Sequence, residues 1–312
     1  MNPAFSVIFL TTLIGVGQGL FLALYAAQAG AALEWLPAQD PHFYWTGSLV
    51  AFAFLAAGLL ASFFHLGRPE RAWRSAAMWR TSWLSREVIV LPAFMGVTLA
   101  YGAMHYLRHD GTLVVGAIGA ALSFALFLCT AMIYACIRFL QEWASPWTVV
   151  NFITLGCASG FTFASAYAIA AAPDLSPAFV CAAIVLTLLA LCTRVASLVR
   201  NARIRPRSTL QTAIGVKHPR IEQKAQGFMG GSFNTREFFH GRTQGLVRAV
   251  KWAFLLLAFP VPVALLAAGG VWEVSALVPA AFAVQYVGLV AERWFFFAQA
   301  RHPQNLYYQA IS

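Results

Sequence analysis

The sequence predicts an all-α integral membrane protein, a bundle of eight transmembrane helices with both termini on the cytoplasmic side. Three observations carry this. Of the 312 residues 60% are hydrophobic and 10% charged, with mean hydropathy +0.69, against about 45–50% apolar and about 25% charged in a soluble domain. The apolar residues gather into eight runs near the roughly 20 residues that cross a bilayer. The basic residues fall between those runs and almost all on one side.

The runs justify themselves in order. Ser6–Ala29 has no basic stretch before it and is long enough to span, so it reads as a retained helix and not as a cleaved signal peptide. Thr46–Phe64 is stopped within a turn by Gly67 and Pro69. Leu84–His105 opens with Ser85-Arg86-Glu87, which sets a carboxylate just inside an apolar run. Thr112–Ile137 and Val149–Ala172 flank a short connection that begins at Arg138. Pro177–Ser197 leads into a long basic connection, residues 200–245. Val250–Ala268 and Ser275–Phe297 close the chain, the last carrying Glu292-Arg293 before Trp294 and three phenylalanines. The whole chain, 1–312, reads as a single membrane domain. Gly15 and Gly19, and Gly116 and Gly119, are spaced to let helices approach closely.

Charge tests the count of spans. If the N-terminus, the even-numbered connections and the C-terminus share one side, that side holds every Lys and Arg except Arg108. The other side carries Glu34, Asp40, Asp110, Asp174 and Glu273. An odd count would scramble this asymmetry, and the basic side is the cytoplasmic one. The net charge of +10 therefore reports topology and contact with anionic lipid, and implies no nucleic-acid partner.

The five cysteines, Cys129, Cys136, Cys157, Cys181 and Cys192, all lie in or at the edge of apolar segments without a CxxC pair. Neither a metal site, nor an iron–sulfur cluster, nor a disulfide is expected of this chain. Haem is not expected either. Only His65 and His105 of the seven histidines lie at span ends, and they lie on opposite sides, so no intramembrane pair exists to clasp it.

Chemistry concentrates in His65-Leu66-Gly67-Arg68-Pro69-Glu70-Arg71-Ala72 after the second span and Leu84-Ser85-Arg86-Glu87 at the head of the third. Because the two helices are neighbours in sequence, His65 and Glu87 are expected to face each other near the cytoplasmic surface. An ionisable residue within a membrane segment is costly and usually functional. Each residue also has a plain reading: Glu87 as an interfacial partner of Arg86 or Arg71, His65 as a helix-end residue bonded to a carbonyl. Together they suit a redox-coupled proton site. His65 would donate to a quinone carbonyl, Arg71 would favour the charge developing on the ring, and Glu87 would pass protons. Arg68, Ser85 and Arg86 support the same turn. Glu292 and Arg293 read first as an interfacial anchor beside an aromatic belt, with support of the same pocket as the alternative. In the long connection, Arg236, Phe238 and Phe239 are candidates for docking a cytoplasmic partner, against the plain reading of a solvated linker.

The two strings resemble the signature of the membrane anchor subunit of the dimethyl sulfoxide reductase family, and the likeness extends to the eight-span pattern and the C-terminal Glu-Arg with aromatics. The resemblance implies a haem-free anchor that exchanges electrons with ubiquinone or menaquinone. It also implies an iron–sulfur subunit and, beyond it, a catalytic subunit holding molybdopterin, which the charge count would put on the cytoplasmic side. In such anchors the histidine of the HLG string and the glutamate of the LSxE string act at the quinone site, which maps onto His65 and Glu87, with Arg71 as a third member. The basic loop after the second span and the long sixth connection are similar to the anchors of the sulfite-oxidising complexes of the same family. The expectation is therefore quinone reduction coupled to sulfite oxidation in a bacterial inner membrane. The runner-up is a respiratory reductase that oxidises quinol. A transporter or proton channel is a third reading, which calls for broken helices or inverted repeats at the midplane.

Overall fold

The computed structural model describes residues 1–222, 224, 240–272, 274–303 and 305–306. The described residues form α-helices and short 3₁₀ turns, with no strand among them. The helices are α1 (Phe5–Ala32), α2 (Pro41–Phe63), α3 (Trp83–Tyr106), α4 (Thr112–Ala135), α5 (Pro146–Ala171), α6 (Ser176–Ala202), α7 (Leu210–Ile214), α8 (Gln244–Leu257), α9 (Pro260–Val271) and α10 (Leu277–Ala298). A 3₁₀ segment, Pro69–Met78, joins α2 to α3.

Local chemistry sets the starts. Asp40 caps α2 by accepting from the backbone N–H of His42 at 2.8 Å, with Pro41 at the first helical position. Ser145 and Pro146 do the same for α5, the serine accepting from the Trp147 N–H at 3.2 Å. In both, the side-chain oxygen serves an N–H that the helix leaves unpaired, and proline has none to waste.

Seven segments are long and apolar enough to cross a membrane: α1 to α6, with α8 and α9 together as the seventh. The eighth expected span falls on α10, a 22-residue helix that carries Gln285, Glu292 and Arg293 and is not among these seven. The expected seventh span, Val250–Ala268, differs from what is seen. It starts earlier, at Gln244, where Thr243 accepts from the Leu246 N–H at 3.3 Å, and it breaks after Leu257. The reason is Pro260 and Pro262, which have no N–H for the carbonyls of Leu256 and Ala258 four residues back. Gln285 of α10 answers the second of these carbonyls, its Nε2 donating to Ala258 O at 3.4 Å and to Thr187 Oγ1 of α6 at 3.0 Å. In an apolar interior a freed backbone group is tolerated only when a neighbour satisfies it in this way.

The most buried helices are α1 and α5, which cross at backbone distance. A Cβ on Gly19 would strike the backbone of Gly156 and Gly160, and one on Gly160 would strike that of Gly19. Around this crossing, Phe21 packs edge-on against Phe94 and Tyr101. One end of the bundle is tied together by hydrogen bonds. The Met1 nitrogen donates to Ala300 O at 2.8 Å. Arg200 Nη1, near the end of α6, donates to Gln141 O at 2.7 Å, and the Arg207 N–H to Gln141 Oε1 at 3.1 Å. Asn201 Nδ2 donates to Gln299 Oε1 at 3.5 Å. These bonds gather residue 1, the α4–α5 connection, the end of α6 and the end of α10.

Candidate functional site

Ser82 caps α3, accepting from the Ser85 N–H at 3.4 Å, which sets Glu87 in the second turn of the helix. Glu87 is buried, and its Oε1 accepts from Thr130 Oγ1 of α4 at 2.5 Å. It lines a cavity of about 20 Å³ between α1, α3, α4, α5 and α10. The polar walls are Thr11, Thr12, Gln18, Thr130 and Ser159, and Arg293 stands on the α10 side. A cavity of this size, with several polar partners, has room for a water. It is far below the roughly 300 Å³ and more of a pocket that takes an organic ring. The cavity beside Glu87 thus has room for a water and, as it stands, none for a quinone ring.

Arg293 is also buried, and its guanidinium lies 3.9 Å over the Phe152 ring. Beside it, Glu292 pairs with Arg194 of α6 at 2.8 Å between Nε and Oε1, while the Arg293–Glu292 distance is 3.8 Å. The expected interfacial anchor at Glu292-Arg293 is thus found inside the bundle. Arg194, read from sequence with the charges of the sixth connection, is buried in the same cluster. The sequence signal was there in both cases, a charge set within apolar residues, in Leu191-Cys192-Thr193-Arg194-Val195 and in Val290-Ala291-Glu292-Arg293-Trp294. Thr130 and Gln18 carried no comparable signal, since hydroxyls and amides are common in such helices.

The other expected site residues lie apart from this cavity. His65 is exposed just beyond α2, and Arg68 and Arg71 are exposed on the connection, with Arg71 3.8 Å from Glu70. Neither His65 nor Arg71 lines the cavity at Glu87. Ser85 is buried beside Glu87 on α3. Arg86 turns back to the connection, donating from Nε to Trp79 O at 2.9 Å and from Nη2 to Arg80 O at 2.8 Å, with its guanidinium 4.2 Å over Trp83. The 3₁₀ segment and its flanks thus present an exposed surface of His65, Arg68, Arg71, Trp73 and Trp79. The docking candidates Arg236, Phe238 and Phe239 lie outside the described residues.

The bundle and its charged interior define a multi-pass membrane protein whose ionisable groups are held between helices. The chain belongs to the DMSO reductase anchor subunit (DmsC) family, whose model matches residues 1–216. Both signature strings and Glu87 fall in that matched part, whereas α8 to α10, with Glu292 and Arg293, lie beyond it. The chain is also similar to a sulfite dehydrogenase subunit from Allochromatium vinosum, with 56% identity over 325 aligned positions that cover all of both chains.

Proposed function

We propose that the chain is the haem-free membrane anchor of a molybdenum and iron–sulfur oxidoreductase complex that passes electrons from sulfite to the quinone pool. The observation that carries this is the full-length 56% identity to a subunit of a sulfite dehydrogenase. The partners in this reading are an iron–sulfur subunit and a molybdopterin catalytic subunit on the cytoplasmic side of a bacterial inner membrane. They are received by the basic connection 200–245 and the exposed surface around His65.

Eight crossings with both termini cytoplasmic fit this arrangement. The bond from Met1 to Ala300 supports an even number of crossings, which makes α10 the eighth, and the basic residues support a cytoplasmic face there. The overall chemistry balances as sulfite plus water giving sulfate, two protons and two electrons, with quinone taking two electrons and two protons to become quinol. This chain's part is positional. His65 and Arg71 would hold the quinone head at the surface of the α2–α3 connection, His65 as donor to a carbonyl and Arg71 as counter-charge. Glu87 would hold and release protons through water from the cytoplasmic side. With protons and electrons both drawn from that side, turnover is electroneutral.

The test is the co-expressed complex, purified in mild detergent and assayed for sulfite-to-quinone reduction. Molybdenum and iron co-purifying with the chain, with turnover abolished in His65→Arg and Glu87→Lys while the partners stay bound, would bear the reading out. Variants that keep full turnover would leave only a tether. Quinol oxidation without sulfite activity would favour a reductase. A chain that purifies alone would return a transporter to the front.

A further inference from the structure

Among the described residues, four side chains that ordinarily carry full charge are buried, apart from the histidines: Glu87, Arg194, Glu292 and Arg293. They are not equivalent. Arg194 and Glu292 close on each other at 2.8 Å through Glu292 Oε1, with both side chains 1% exposed. Arg293 stands 3.8 Å from the other oxygen of the same carboxylate, and Arg293 Nε, like Arg194 Nε and Nη2, has no well-aligned hydrogen-bond acceptor. Two buried arginines therefore share one buried carboxylate, an excess of one positive charge, and a second buried carboxylate stands on α3; of the two arginines it is Arg293 that lines the same cavity as Glu87. A buried charge without compensation is among the costliest features a fold can carry. Inside a membrane bundle such charges pair with one another.

We propose that Arg293 is the positioning residue for Glu87: across a water held in the cavity, its guanidinium keeps the carboxylate ionised and ready to accept a proton. The inference rests on the proton-carrying role given to Glu87 above and extends it to a residue beyond the part of the chain that the family model matches. The remaining surroundings fit. On α4, Thr130 donates to the Glu87 carboxylate, Cys129 lies in electrostatic range of Glu87, and Tyr134 lies in range of both Glu87 and Arg293. The faces of α1 and α5 toward the cavity bring no ionisable side chain, only Thr11, Thr12, Gln18 and Ser159 among apolar residues. On α6, Arg194 is held by Glu292. On α3 itself, Arg86 points back to the connection. Arg293 is the cation that lines the cavity with Glu87, and Glu292–Arg194 fixes the turn of α10 that carries it. In the step itself, one proton from water adds to a carboxylate oxygen to give the neutral acid, which later returns it.

The experiment is infrared spectroscopy of the intact complex in detergent at neutral pH, reading the C=O stretch of protonated carboxyl groups. Arg293→Gln is expected to gain a band that shifts down in D₂O and is absent from the Arg293→Gln/Glu87→Gln double variant. Arg293→Lys, which keeps the charge, is expected to lack it. An Arg293→Gln complex with an unchanged spectrum would overturn the proposal, whatever its turnover. If Arg293→Gln fails to assemble, the double variant is expected to restore assembly, because it removes both charges together, and a double variant that fails equally overturns the proposal too. The two readings separate cleanly. A band that appears while Glu87→Gln keeps full quinone turnover supports the Arg293–Glu87 coupling and removes Glu87 from the electron-transfer function. Lost turnover in Glu87→Gln without the band in Arg293→Gln does the reverse.

Discussion

Arg194 on α6 and Glu292 on α10 meet at 2.8 Å with each side chain 1% exposed, and two benzene rings close over the arginine, Phe254 at 5.5 Å and Phe295 at 6.0 Å from its Cζ. The pair ties α10 to α6 in a part of the bundle where water cannot repay a broken contact. Removing one partner strands the other, which for buried pairs costs about 3–5 kcal/mol, whereas replacing both with apolar residues of similar volume is often neutral. Glu292→Gln and Arg194→Met are therefore each expected to lower the thermal stability of the solubilised protein sharply. The Arg194→Met/Glu292→Leu double variant should recover most of the loss. Thermal unfolding in detergent checks this, and equal losses in single and double variants would speak against an energetic pair.

The α1–α5 crossing yields a prediction that needs no assay of function. At Gly160 even a methyl group meets the backbone of Gly19 and Leu20, whereas a Cβ at Gly96 on α3 meets nothing within 4 Å. Gly160→Ala must push two helices apart, an overpacking cost of about 1–3 kcal/mol or more. Gly96→Ala only gains the better helix former. A lower melting temperature in the first variant and an equal or higher one in the second is expected. Comparable melting temperatures would mean that the crossing is looser than it stands here.

Much of the architecture was legible because hydropathy and charge are properties of runs. α2 ends at Phe63, just short of the Gly67-Pro69 turn expected to stop it, and Glu87 stood out as a carboxylate in apolar company. What could not be read is which side of a helix meets a neighbour. Glu292 and Arg293 look the same in sequence whether they face headgroups or the inside of the bundle, and only the placement of α6 against α10 shows them buried with Arg194. His65 and Glu87 are near in sequence, yet the connection leaves His65 exposed while α3 turns Glu87 inward. The reading of Val250–Ala268 as one unbroken span passed over Pro260 and Pro262, and the broken helix stands because Gln285 reaches Ala258 from another helix.

Thr130 is the residue that holds the Glu87 carboxylate in place, donating to Oε1 at 2.5 Å. A hydrogen bond to a charged group contributes about 1.5–3 kcal/mol. If that much of the carboxylate's positioning is lost during proton transfer, the rate falls by about tenfold or more. Thr130→Val keeps the shape and removes the donor, so it is expected to slow quinone turnover by that factor with the complex still assembled. Thr130→Ser should stay close to the parent. Single-turnover kinetics on the purified complex decide it, and identical rates for the valine and serine variants would exclude a role for the hydroxyl.

His65 supplies a dependence on pH. It lies outside the spans, and although its side chain is exposed, partial burial lowers its pKa below the ordinary value of 6.5. Burial moves His302, beyond α10, in the same direction. A base whose folded pKa lies below its unfolded one remains neutral in the folded protein while the unfolded chain is already taking up protons. As pH falls through about 6.5 the unfolded state binds more protons, so stability declines with falling pH until the folded group also titrates. The melting temperature of the solubilised protein is expected to drop as pH is lowered below 6.5. The drop should be smaller in His65→Gln and smaller still in His65→Gln/His302→Gln. The same shift keeps His65 neutral at pH 7, with one ring N–H to donate and no charge of its own, so any charge at a quinone bound there falls to Arg71. Quinone affinity should then be flat between pH 7 and 8 in the parent protein and weakened throughout that range in Arg71→Gln, as quinone titrations at each pH would report.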